Sequence, residues 1–335
     1  MPAGITERDK QVGKSQAWHN MTIIEDGPIT KEIAHPFEII EAPIYHKVTE
    51  KDDFGINQDK FIESPNWKQL LASDDFLPIG DPYGSSYCPS SIATFWEIIR
   101  KGMGDTPYEI MSAGTVDNRC KVFASIKVSE GFKIGDREFN DFITILDSYD
   151  KSTSLQARYS NICVVCANTF AANMQSGSQI GKAKHTQMIE MNIGRLIDAI
   201  DNFSGTSAMF QAMLTKAQNT PCSRDEARAW VAGIETRNSD QLTNGMLQKS
   251  ARIMELFEVG RGNEGRTRLD AFSALTDFHS NESTNRKGDG AQRYTSEFGS
   301  SAQIKSMVAS NFVSDWDNNV RRGNAMISKD VALTA

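Results

Sequence analysis

Between residues 120 and 128 the chain alternates without a break: Cys120, Val122, Ala124, Ile126 and Val128 are apolar, and Lys121, Phe123, Ser125 and Lys127 fall between them, with Arg119 just before. Successive side chains of a strand point to opposite faces, so the run predicts a half-buried β-strand. One face packs, and the other carries three cations around one aromatic ring. A cationic track with an interleaved ring suits single-stranded nucleic acid, whose phosphates meet the cations and whose bases stack on the ring. A solvated strand face holding a stray Phe fits the segment as well.

The neighbouring segments extend this strand into a sheet. Residues 108–116 and 120–128, joined through Asp117, Asn118 and Arg119, read as a hairpin, and residues 131–136 turn the chain into a third strand at 138–148. Residues 91–101 place Ala93, Phe95, Trp96 and Ile99 at helical spacing ahead of the sheet. After it, the Ala-rich continuation of residues 161–175 predicts helix from about Cys163. Residues 184–203 set Met188, Met191, Leu196 and Ile200 near one stripe of an amphipathic helix. Further helices are expected at 207–218, 224–234, 240–257 and 269–278. The fold class is therefore α+β: an antiparallel β-meander packed against helices, with a mostly helical C-terminal half. Residues 1–60, broken by Pro28, Pro36 and Pro43 but holding a β-type run at 37–45, read as an N-terminal arm or lead-in. Residues 61–258 read as the α+β core and 259–335 as a helical and loop extension.

The net charge is −7 over 335 residues. Residues 1–100 hold 16 acidic and 9 basic side chains and the remainder 27 of each, so the whole excess is N-terminal. Such a balance gives no general pull toward a polyanion and leaves that task to local basic tracks. Five cysteines, mostly among apolar neighbours, argue against a disulfide framework and fit a reducing cytosol. No apolar run approaches the ~20 residues that span a bilayer, and the first residues lack a signal-type apolar core. A cytoplasmic protein with no membrane partner is expected.

Motifs for chemistry are weak. Cys163 and Cys166 form a CxxC with no second ligand pair, and the five histidines are scattered, so no metal or cofactor is expected. Residues 177–182 (GSQIGK) have one residue too few between their glycines for a Walker A loop and lack its hydroxyl. Residues 260–265 (GRGNEG) match GxGxxG, but after a helix rather than a strand, and read as a flexible loop. Asp136, Glu138, Asp141, Asp147 and Asp150 cluster, and the first three would serve a metal-dependent nuclease. No lysine completes an (Asp/Glu)-x-Lys triplet, and turn residues on a solvated strand edge are the plainer use. No catalytic residue is assigned. Basic positions recur at Arg158, Lys182, Lys184, Arg261, Arg266 and Arg268. Lys182 and Lys184 are expected at the head of the 184–203 helix, where amide dipoles favour an anion.

Five stretches carry a family resemblance: PYEIMSAGTVDNRCKVFASIKV, RYSNICVVCANTF, KHT, LDAFSALTDF and FGSSAQIK. Together, over about residues 78–305, they resemble the phage/plasmid-like proteins grouped as domain of unknown function nine-three-two. The block at 158–170, with its Val-Cys-x-Asn-Thr core at 165–169, is the most specific part. Ser273 stands where the family has Asn, and the Asp-His that follows there is reduced to His279. The resemblance implies a mobile-element gene working in a bacterial cytoplasm and supplies no mechanism. In element order the meander and helix are also similar to the core of single-strand annealing proteins of the Redβ, RecT and Rad fifty-two type, which act without a cofactor and assemble into rings or filaments.

These features lead to one expectation: single-stranded DNA binding through Arg119, Lys121, Phe123 and Lys127, extended by Arg158, Lys182 and Lys184, in a homo-oligomer that anneals strands. The alternatives are a contact of the acidic N-terminal region with a host defence or replication protein, and the nuclease above.

Overall fold

The computed structural model describes residues 6–14, 22–128, 132–135, 137–163, 178–202, 204–236, 242–260, 262–282 and 315–334. Its N-terminal elements are β1 (Gln11–Gly13), β2 (Thr22–Ile23), α1 (Lys31–Ala34), β3 (Ile39–Lys51), β4 (Asn57–Ala72), β5 (Pro78–Gly84) and α2 (Ile92–Met103). The expected meander follows as β6 (Glu109–Val116), β7 (Lys121–Lys127), a short β8 (Phe132–Ile134) and β9 (Arg137–Ser148). Two more strands, β10 (Leu155–Cys163) and β11 (Ser178–Ala183), continue it. The helical half contains α3 (Ile189–Asp201), α4 (Ser204–Gln218), α5 (Arg224–Glu235), α6 (Asn244–Val259), α7 (Arg268–Asn281) and α8 (Trp316–Thr334).

One eight-stranded sheet runs β11-β10-β9-β7-β6-β1-β2, with β8 on β9, and β3-β4-β5 form a second, three-stranded sheet. The chain is thus α+β, antiparallel in its meander and helical in its C-terminal half. Described residues up to Phe37 are built into this frame: β1 pairs antiparallel with β6, and Val12, Ile29, Ala34 and Phe37 lie in the main core. Arg158 sits in mid-strand in β10, which ends at Cys163. The helix expected from about Cys163 onward lies outside the described residues. One expectation is corrected. The amphipathic helix starts at Ile189, so Lys182 belongs to β11 and Lys184 to the loop after it.

Val122, Ala124, Ile126, Ile143, Ile145, Leu155 and Ala157 form one sheet face, which packs with Ile92, Phe95, Ile98 and Ile99 of α2 and Leu196 and Ile200 of α3 into the main core. A second core joins Ile134 and Phe139 to the C-terminal helices. Arg137 fastens the two: its guanidinium is paired with the buried Asp270 of α7 and donates from Nε to the Gly262 carbonyl at 2.8 Å. The GRGNEG loop is therefore held at Gly262 and Asn263.

Helices α5 and α8 touch backbone to backbone. A Cβ on Gly323 would lie 1.8 Å from the Ala229 carbonyl oxygen, and one on Gly233 1.9 Å from that of Asn319. This closeness lets Trp230 and Trp316 stack at 4.6 Å between centroids. A methyl group at either glycine forces the helices apart, and overpacking of this kind costs about 1–3 kcal/mol. Gly323→Ala should lower stability by at least about 2 kcal/mol and weaken the near-ultraviolet dichroism of the tryptophan pair; denaturant unfolding with that readout checks it.

Two buried histidines have opposite charge states, set by their partners. His35 accepts the Trp96 indole N–H on Nδ1 at 3.1 Å and donates from Nε2 to the Gly114 carbonyl at 2.9 Å, a neutral tautomer. Burial pulls its pKa from 6.5 down to about 4. His185 faces acceptors on both nitrogens, the Asp147 carboxylate at 2.7 Å and the Cys88 carbonyl at 3.3 Å. Burial opposes its charge, but the bond and the attraction to Asp147 outweigh burial and raise its pKa. Asp147 also accepts from Ser90 Oγ and from the Ser148 N–H at 2.8 Å, so one carboxylate ties the loop before α2 and the loop after β11 to the sheet.

The signs of the two linkages differ. The His35 contribution is full above about pH 6.5 and is lost as pH falls toward 4, because the unfolded chain takes up the proton first; its span is worth about 3 kcal/mol. The His185 contribution is full at low pH and is lost as pH rises through its raised value. His35→Gln should therefore lose stability at pH 7 yet show a flatter decline between pH 6.5 and 4 than the parent, as read from urea midpoints.

Candidate nucleic-acid interface

The pairing register decides which of the expected side chains share a face. Phe123 lies opposite Leu146, Leu146 opposite Gln156, and Gln156 opposite Lys182. Ser125 lies opposite Thr144, and Thr144 opposite Arg158, while Lys127 faces Phe142 and Lys121 faces Ser148. Residues directly opposite in a ladder project to the same side. Lys121, Phe123, Lys127, Arg158 and Lys182 therefore share the sheet face turned away from α2 and α3. Four strands bring together groups 61 positions apart in the chain, from Lys121 to Lys182.

Exposure corrects the role of three of them. Phe123 is 0% exposed, packed with Val116 and Leu146, so no base can stack on its ring. Arg119 lies in the β6–β7 turn, where Asp117, Asn118 and Arg119 all have positive φ. Such a conformation costs roughly 1–2 kcal/mol for an ordinary side chain, and the Asp9 carboxylate offsets it by accepting the Asn118 and Arg119 N–H groups at 3.0 and 2.8 Å. The Arg119 guanidinium bonds Asp74 at 2.6 Å and the Arg8 carbonyl at 2.8 Å, and lies 4.7 Å from the Phe37 ring. It pins the turn. Lys121 is paired with Asp117 at 2.7 Å and Asp150 at 3.4 Å; burial works against its charge, but the two carboxylates win and raise its pKa. Lys127 and Arg158 are half-buried, and Lys182 and Lys184 are exposed.

Between the cations runs a row of hydroxyls: Ser112 on β6, Ser125 on β7 and Thr144 on β9, with Arg158 next on β10. They are 1%, 0% and 2% exposed, and none of the three oxygens has a hydrogen-bond partner. A buried hydroxyl left unpaired costs about 1–3 kcal/mol, so three in a row is an expensive arrangement for a sheet that could hold Ala or Val. Arg158 donates from Nε to Gln156 Oε1 at 3.1 Å, and burial lowers its pKa. Like the Phe123 ring, the three O–H groups are enclosed, so their unmet hydrogen bonds are a cost to the fold. The small polar residues at alternate positions of β6 and β7 were visible in the sequence, but only the register lines them up.

The acidic set is not brought together. Glu138 and Asp141 lie three apart on β9 and so point to opposite faces. Asp141 accepts from Tyr159 Oη at 2.6 Å, Asp147 serves the His185 pair, and Asp136 is outside the described residues. Among the described residues no three His, Cys, Asp or Glu side chains are grouped to hold a metal; Cys166 lies outside them. The loop cations are structural where described: Arg268 bonds Glu226 at 3.1 Å and lies 4.6 Å from the Trp316 ring, Arg266 is 3.4 Å from Glu264, and Arg261 lies outside the described residues. His279 on α7 bonds Glu235 at 2.9 Å and Ser273 meets Arg137 at 3.3 Å, so both family-resembling positions brace helices.

The model of a family described as a domain of unknown function, DUF932, matches residues 83–298, well over half of the chain. The chain belongs to the DUF932 family. The DUF932 match takes in the hydroxyl row, Arg158, Lys182 and the Asp147–His185 pair, and leaves β1 to β4 and α8 outside. No curated protein and no solved structure matches the chain significantly. Among the described residues no helix is long and apolar enough to cross a membrane.

A buried hydroxyl without a partner should be dispensable for folding. Thr144→Val is expected to raise stability by about 1 kcal/mol, since it removes a desolvated donor from a site that cannot satisfy it. A lower urea midpoint would show that Thr144 has a partner within the fold.

Proposed function

We propose that this DUF932 protein binds single-stranded DNA at the β11 edge of the eight-stranded sheet, in the service of strand annealing on a mobile element. The exposed Lys182 on that edge strand and the exposed Lys184 just after it carry this reading. Arg158 and Lys127 would take phosphates where the face is half-buried, and Lys182 and Lys184 where it is exposed. With Phe123 inside the core, recognition is led by the sugar-phosphate backbone rather than by stacking, and is indifferent to base sequence. The face needs no catalytic group: it holds a strand extended while a complementary strand pairs with it.

Phosphate contacts release counterions, and for single strands log K falls with log salt with a slope near −0.7 per phosphate neutralised. Fluorescence anisotropy with a labelled oligonucleotide should give a slope of roughly −2 to −3 for three to four contacts. Lys182→Glu with Lys184→Glu, two exposed lysines, should flatten it by roughly 1.4, whereas Lys121→Gln, at a lysine paired with two acids, should change it little. Absence of binding at low salt ends the reading.

A further inference from the structure

Strands β3 and β4 run on beyond the rest of the molecule as a hairpin arm. From Tyr45 to Lys51 and from Asn57 to Glu63, every side chain except that of Val48 is exposed, on both faces. Two-stranded ribbons are marginal by themselves in water, and an edge strand with unpaired N–H and C=O groups is a template for another strand. β3 is such an edge. The arm displays large apolar side chains, with Tyr45, Phe61 and Ile62 all more than half exposed and Phe54 at its tip 89% exposed.

Lys47 and Lys60 in the body of the hairpin, and Lys68 at its base, are met by carboxylates of the facing strand. Lys47 meets Asp59 at 2.7 Å, Lys60 is paired with Glu50, and Lys68 meets Glu41 at 2.8 Å. A polyanion would have to displace those carboxylates, so the arm suits a protein strand rather than DNA. The sequence of the edge points to which protein. An antiparallel pair of identical strands related by a two-fold axis places one residue opposite its own copy. With Val48 on that axis, His46 faces Glu50 and Tyr45 faces Lys51, each twice, while Lys47 faces Thr49; no two like charges meet. This seven-residue stretch holds a regular register and lies clear of the irregularity between Pro43 and Tyr45. Shifting the axis to Lys47 would set two ammonium groups face to face.

We infer that β3 is a self-association edge, pairing antiparallel about Val48 with the β3 of a second copy of this chain. The contact deepens the oligomeric side of the proposed function and forms without DNA.

The test uses the full chain in sedimentation velocity, in the absence of nucleic acid. Val48 lies opposite Lys60 within the hairpin, so Val48→Asp keeps the arm supported yet sets two carboxylates face to face on the axis. The parent should dimerise in the micromolar range, and Val48→Asp and the double variant Val48→Lys with Lys60→Gln, which keeps two ammonium groups from meeting inside the hairpin, should each weaken the dimer by roughly tenfold or more. An equimolar mixture of the two variants should restore it, because each pair across the axis then joins opposite charges. A monomeric parent, or variants that associate as the parent does, overturns the inference; so does a mixture no tighter than its components. DNA binding by the monomer would leave the proposed function standing, and a dimer that binds no DNA would leave only this contact.

Discussion

The register of β7 against β6 and β9 is the constraint on which the rest of the molecule depends. Side chains on a strand have a period of two, so a slip of one residue would turn Val122, Ala124 and Ile126 out of the main core and drive Lys121 and Lys127 into it. With three aliphatic side chains on one face and two lysines on the other, that slip is strongly opposed. Everything that defines the other face follows, because β9, β10 and β11 inherit the register strand by strand until Lys182 stands in the same row as Phe123.

Charge inside this fold is handled by partners rather than by exposure. Asp147 holds His185 as an imidazolium, Asp270 holds Arg137, and two acids hold Lys121. The Asp147–His185 and Arg137–Asp270 pairs are buried and join segments distant in sequence, and removing one partner would leave a desolvated charge, which is far costlier than the pair itself. Neutral donors are treated less strictly: the hydroxyls of Ser112, Ser125 and Thr144 lie buried side by side with no acceptor.

The meander, the helix ahead of it and the helices of the second half were legible because their apolar periodicities span whole elements. Helix α5 starts where its Ser223 cap and acidic first turn announce it. The start of the 184–203 helix reads too early, at Lys184, because the cations ahead of Met188 pass for its first turn, whereas Lys182 pairs in β11 and the helix begins at Ile189. The cationic face was legible as chemistry and misread as exposure. Nothing in the stretch 119–127 itself says that Asp74 and Asp75 will reach Arg119, that Asp150 will reach Lys121, or that Val116 and Leu146 will close over Phe123.

By itself the sequence determined the local elements: which stretches are strands or helices, which side of β7 is apolar, and that the chain resembles a family defined by conserved blocks rather than by known chemistry. Those are short-range properties, set by alternation, helical spacing and turn residues. Only the tertiary structure decided that Lys182 and Lys184 stand exposed, that Arg119 and Lys121 are consumed in ion pairs, and that three hydroxyls from three strands form one row. Such facts depend on ladder register and on contacts between residues 50 to more than 100 positions apart, and no local pattern encodes the partner that a charge will find.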